Sequence, residues 1–190
     1  MRKQKASTSA LYLMRRYFFA VPFALSVLCL SPILSTGQDE IPPDASPPPL
    51  RQLSKSEKDQ LSTAREVKDR TKLSLMLMDG HVKNAEQYMP QENFEMIFRE
   101  LGSFHALVED ALAYLSTSES DKRKVLDNFK RFELGLRAFT PRLEMIRRDM
   151  PPQREYYIRI LLREMREARA KAVEPLFGEI GIKIAGEPQQ

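Results

Sequence analysis

The chain has 190 residues, 42% apolar and 29% charged, with 13 Pro, 7 Gly, one Cys and no Trp. Scarce glycine, abundant charge and a single thiol exclude a collagen-like, a multi-spanning and an internally disulfide-stapled protein. The formal charge of +4 belongs to the leader: residues 1–37 carry five basic side chains and no acidic one, which leaves the remainder, with 25 basic and 26 acidic residues, near −1.

Arg2, Lys3, Lys5, Arg15 and Arg16 precede an uncharged apolar run from Tyr17 to Leu34, and Ser35-Thr36-Gly37 follows it. A positive start, an apolar centre and a small-residue exit predict a secretory signal peptide over residues 1–37, cleaved near Gly37. The competing reading is an uncleaved membrane anchor, because the run approaches the roughly 20 residues that span hydrocarbon. Pro22 and Pro32 disfavour one continuous helix there. Leu28 before Cys29 does not suit a lipoprotein signal, and Arg15-Arg16 resembles part of a twin-arginine export signal. The expected location is periplasmic or secreted, with N-terminal anchoring as the alternative, and the cleaved chain has no cysteine.

Residues 38–53 hold Pro42, Pro43, Pro47, Pro48 and Pro49, which remove backbone donors and favour extended polyproline II. This stretch reads as a semi-rigid linker outside the core. From Ser54 the spacing is helical: Ser54 and Glu57 suit a capping box, and Leu61, Ala64, Thr71, Leu75, Met78, Val82, Ala85 and Met89 recur at three- and four-residue steps. Lys68 is the polar exception. A first helix of about 50 Å, with Gly80 as a weak point, is expected to run to about Tyr88 and stop at Pro90. A second carries Phe94, Ile97, Phe98, Leu101, Phe104, Val108, Leu112 and Leu115, and ends in a polar turn at residues 116–121.

The third stripe is Val125, Phe129, Phe132, Leu136, Phe139, Leu143, Ile146 and Met150, with a bend expected near Pro141. Pro151-Pro152 opens a fourth, with Tyr157, Ile160, Leu161, Met165, Ala168 and Ala172. Short connections and one apolar stripe per helix predict an all-α fold, an antiparallel up-down four-helix bundle with long helices over residues 54–177. Residues 178–190 read as a flexible tail. Eight acid-to-base pairs four residues apart, among them Glu133/Arg137, Glu144/Arg148 and Glu155/Arg159, suit exposed outer faces. The three-four seam also suits self-association as a homodimer.

Few side chains point to chemistry. No His-Glu-x-x-His helix, Gly-x-Ser-x-Gly elbow or phosphate-cradling loop occurs, and neither histidine has the Glu three positions earlier that a di-iron bundle requires. No catalytic residue and no cofactor is assigned. Met78, His81 and His105 are the candidate metal ligands, since a hairpin turning near Gln91 brings the two histidines within about a turn of one level. Thioether and imidazole together suit Cu(I). Against this, methionines fill core gaps, and Met76 and Met78 cannot share a helix face. A haem held by Met and His is a further alternative, without residues that mark it.

Residues 38–121 have net charge −7 and residues 122–190 net +6. Either the basic half meets an anionic envelope surface, or the two halves face one another across the bundle, which the interleaved acids favour. Nucleic acid is not expected as a partner. The leading expectation is therefore a non-catalytic exported helical protein acting in protein–protein interaction or scaffolding in the cell envelope, touching membrane only through an uncleaved leader. A periplasmic stress chaperone or metal-responsive helical protein is the alternative. Leu53-Ser54-Lys55-Ser56-Glu57 is faintly similar to the helix start of Spy-like chaperones, but lacks its Gln and a second copy. A copper- or haem-binding bundle is the third.

Overall fold

The computed structural model describes residues 47–185, with side chains described to Phe177. The leader, its cleavage site, the first part of the linker and the last five residues lie outside the described residues. Within them the fold is all-helical, with five α-helices and no strand: α1 (Lys55–Thr63), α2 (Val67–Tyr88), α3 (Phe94–Thr117), α4 (Lys122–Arg148) and α5 (Pro152–Ala185). None of these helices is long and apolar enough to cross a membrane.

The expected first helix is in fact two. Continuing α1 unbroken would bring Lys68 onto the apolar stripe. The chain leaves the helix between Ala64 and Glu66, resets the phase, and buries Val67 while Lys68 stays exposed. Thr71, Ser74, Met78, Val82 and Ala85 then follow Val67 inward at three- and four-residue steps. The break is held from α3, where the Tyr114 hydroxyl donates to the Arg65 carbonyl at 3.3 Å. The Arg70 guanidinium lies 4.2 Å from the centre of the Tyr114 ring and pairs with Asp110 at 3.2 Å.

A 3-10 turn, Met89–Gln91, reverses the chain, and Glu92 takes a left-handed φ of 51° before Asn93 caps α3. Helices α2 and α3 pack as one pair and α4 and α5 as another, with α2 against α4 and a lighter contact of α3 with α5. Phe104, Phe132, Leu101, Leu136, Ile158 and Leu161 are wholly buried between them. Phe104 meets Phe139 edge to face, with centroids 5.5 Å apart. Where α2 meets α4, Gly135 leaves room for Leu75; a Cβ there would lie 2.4 Å from a Leu75 methyl.

Two prolines lie inside helices without ending them. Pro141 is exposed on α4, so the backbone acceptor it leaves unpaired is free to meet water. Helix α5 likewise continues past Pro175 and Gly178, where the sequence predicts the ordered region to close. Two of the expected surface pairs are re-partnered, one within α4 and one across to α5. Glu133/Arg137 forms, but Glu144 and Glu155 both go to Arg147, which bridges α4 and α5.

The end of the proline-rich stretch also departs from the linker expectation. Residues 47–53 lie as an extended strap on α3. The Ser103 hydroxyl donates to the Gln52 carbonyl at 3.1 Å, and Arg51 reaches Glu109 on α3 and Glu164 on α5 at 2.6 and 3.2 Å. Gly102 makes the approach possible, because a Cβ there would sit 2.4 Å from the Leu50 carbonyl oxygen. Gly102→Ala should therefore lift the strap while the helix itself gains up to about 1 kcal/mol of propensity. Hydrogen exchange is expected to speed up at residues 50–53 and stay unchanged in the centre of α3; unchanged exchange in the strap would refute this close-packing role.

Candidate functional site: two histidine clusters

Each histidine is the centre of its own ionic cluster. His81 lies on α2 at the bundle rim, beneath α1. Its Nε2 meets Glu57 Oε1 at 2.6 Å and its Nδ1 meets Glu100 Oε2 at 2.8 Å, so one imidazole joins α1, α2 and α3. Asn84 donates to the same Glu100 oxygen at 3.1 Å. The second Glu57 oxygen accepts from the Ser54 backbone N–H at 2.8 Å and the Ser54 hydroxyl at 2.7 Å, completing the N-cap of α1. Glu57 thus acts twice, as helix cap and as histidine partner.

Burial works against the Glu57 charge, but the hydrogen bonds from Ser54 and from His81 outweigh it and hold the carboxyl below its ordinary range. A carboxylate stands on each ring nitrogen, so both nitrogens are engaged. Its geometry is that of a clasp.

His105 lies on α3 with 2% of its surface exposed, and its ring faces α5. Nε2 is in contact with Glu164 Oε2 and lies 3.7 Å from Glu109 Oε1, one turn along α3. Nδ1 is 3.3 Å from the Tyr157 hydroxyl. Arg51 of the strap bridges the two carboxylates from outside. Burial, with the positive charge of Arg51, outweighs Glu164 and Glu109 and lowers the His105 pKa below its ordinary value. Burial also raises the pKa of Tyr157 and keeps it a neutral phenol. Beside this cluster opens a cavity of about 250 Å³, lined among others by Val108, Leu112, Arg163, Glu167 and Lys171.

The expected ligand trio is not one site. Met78 is wholly buried in the apolar core, and His81 and His105 hold separate sets of partners. The reason lies in helix geometry: His81 takes Glu100 on one flank of α3, and five residues further along the same helix, about 140° around its axis, His105 faces α5. Sequence reading reaches Glu57 as a cap residue. It passes over Glu100, Glu109, Glu164 and Arg51, and places Tyr157 only in an apolar stripe. Glu109, four residues after His105, was the one partner visible in local spacing.

Two further clusters tie helices together. Arg142 on α4 grips Glu86 of α2 through Nε at 2.7 Å and a terminal nitrogen at 2.6 Å, and Asp79 at 2.7 Å. Glu133 on α4 accepts from Arg137 and, across to α5, from Arg169 at 2.9 Å. In Arg142 the basic half of the chain meets the acidic half directly. Compared with known proteins, no family model matches the chain, and no curated protein or solved structure matches it.

The depressed Glu57 pKa fixes a sign. Its contribution to stability is complete above the ordinary glutamate value of about 4.3 and is lost as pH falls through the lower folded-state value. Docking of α1 should weaken over that window, and Glu57→Gln should cost roughly 1 to 3 kcal/mol, as for a lost charged hydrogen bond. Hydrogen exchange of the α1 amides against pH is the check; a variant with the same acid dependence as the parent would assign the docking to other groups.

Proposed function

We propose that the chain is a non-catalytic, exported helical-bundle protein that acts by protein–protein interaction or scaffolding in the cell envelope, with α2 to α5 as an up-down four-helix bundle and α1 as an added clasp. The observation that carries this reading is how the ionisable side chains between helices are used. Arg142 with Asp79 and Glu86, Glu133 with Arg137 and Arg169, and His81 with Glu57 and Glu100 are each closed on one another. Groups spent in this way fix helix register and present no activated nucleophile.

The outer surface supplies what a partner would use. Met76 on α2, and Leu134 and Met145 on α4, are large apolar side chains left half or more exposed. Leu134 and Met145 are eleven residues apart, three turns along one face of α4, about 16 Å at 1.5 Å per residue. A second helix, from another protein or another copy of this chain, suits that spacing. Export rests on the leader sequence alone. Of the alternatives, the metal-responsive reading has specific support in the His105 cluster. The copper reading loses it, since Met78 is sealed in the core.

Native mass spectrometry of the protein expressed with its own leader and recovered from the envelope fraction tests the proposal. A mass beginning near Gln38 and a complex that Leu134→Glu with Met145→Glu dissolves, at unchanged helicity, are the expected results. A full-length cytoplasmic monomer, or turnover of an envelope substrate abolished by one point change, would overturn it.

A further inference from the structure

The His105 cluster differs from the others in the chemistry it leaves open. His105 and Glu109 are one turn apart on α3 and Glu164 comes from α5; one ligand atom from each lies within 4.8 Å of the other two. One imidazole nitrogen and two carboxylate oxygens at such separations are a ligand set for a borderline-hard divalent ion. Tetrahedral zinc, with bonds of about 2.0 to 2.2 Å, asks for ligand atoms about 3.3 to 3.6 Å apart. The 3.7 Å from His105 Nε2 to Glu109 is close to that already. Glu164 has only to draw back from the ring. The adjoining cavity has room for a water in the fourth position.

The surroundings of the ring supply an independent indication. A metal-ligating histidine needs a partner on its other nitrogen to set its orientation and tautomer. Tyr157, itself 4% exposed, stands 3.3 Å from Nδ1. Its hydroxyl serves either tautomer, donating to Nδ1 while Nε2–H bonds Glu164, and accepting from Nδ1–H when Nε2 offers its lone pair. Burial favours the neutral ring, the form that coordinates. The place a metal would take between the carboxylates is bordered by a cation from outside the helices, the Arg51 guanidinium, 2.6 Å from Glu109 and 3.2 Å from Glu164.

We propose that His105, Glu109 and Glu164 form a binding site for a divalent transition ion, zinc being the reference occupant, and that Arg51 of the strap is the internal cation the metal displaces. On binding, the Nε2 proton relocates to Nδ1, Glu109 and Glu164 each exchange Arg51 for the ion, and the strap loses its ionic anchor while keeping the Leu50–Gly102 contact. The site stands independently of the interaction role, since it uses none of the clasps on which that reading rests. Arg163 and Lys171 at the cavity rim oppose the ion, and Glu167 favours it.

The test is titration of the full chain, in mild detergent, with Zn²⁺ against a chromophoric chelator, and with Co²⁺ followed by its visible absorption. One ion per chain is expected. Glu164→Gln and Glu109→Gln should each weaken binding at least tenfold, and Tyr157→Phe by about 10- to 100-fold, the usual cost of a lost outer-shell partner. Arg51→Gln should tighten binding several-fold. In the parent protein zinc should speed hydrogen exchange at residues 50–53. Circular dichroism checks each variant; if Glu164→Gln unfolds, Glu109→Gln decides, because Glu109 is 52% exposed and its loss is tolerable to the fold. Failure of Arg51→Gln to bind at millimolar zinc overturns the site. So does binding that survives Glu109→Gln and falls with His81→Gln. Affinity unchanged in Arg51→Gln, with no response of the strap, overturns the displacement.

Discussion

Apolar stripes from four helices converge on Phe104, Phe132, Leu136 and Leu161, and every polar cluster takes its position from that seam. Burying such side chains stabilises the fold by about 1.5 to 3 kcal/mol each. Ion pairs between partly buried partners give back much of their attraction in desolvation, so the clusters between the helices do not set the packing against the seam. They select among its near-equivalent registers. A one-turn slide of α2 along α4 would carry Asp79 and Glu86 away from Arg142, which both now meet within 2.7 Å. An ion pair of this kind adds specificity more than net stability, because removing one partner leaves the other charge poorly solvated.

The same logic explains why α1 exists as a separate element. Nine residues are too few to hold a helix in water unaided, and α1 buries little beyond Leu61 and Glu57. What fixes it is the capping box and the His81 contact, both through Glu57 in its first turn. The carboxylate that stops α1 from fraying is therefore the one that docks it, so helix formation and docking are a single event. The break at Ala64–Glu66 makes this geometry possible by letting α1 leave the line of α2, while Tyr114 and Arg70 secure the corner from α3 and α2.

Much of this architecture was legible in the sequence, because three-four periodicity is a local property. Val125, Phe129, Phe132, Leu136, Phe139, Leu143, Ile146 and Met150 were read as one stripe, and all but the half-buried Val125 are buried. Lys68 marked the phase break as the polar residue in an otherwise apolar row, a signal that could have been read as two helices. The strap was not legible: proline content describes the stiffness of the chain itself and says nothing about a groove opened by Gly102, fifty residues away. The partners of the candidate ligands were hidden for the same reason. Met78, His81 and His105 were grouped by height along a hairpin, whereas their partners depend on azimuth. Glu100 and Glu164 approach from other helices, and no spacing along the chain encodes that.

The strap of residues 47–53 leads into α1. It is fastened by contacts of two kinds, uncharged ones, which are the backbone fit at Gly102 and the Ser103–Gln52 hydrogen bond, and the Arg51 charge shared by Glu109 and Glu164. The first kind is indifferent to ions or pH. The second holds only while both carboxylates are ionised and free of another cation. Partly exposed, it is also screened by salt. His105 sits under that second contact with its charge suppressed by burial, so protonating the ring would place a second cation beside Arg51 and weaken Arg51's hold. Whatever neutralises Glu109 and Glu164 therefore acts on the proline-rich segment that leads into the bundle, and it does so without touching the apolar seam that keeps the helices folded.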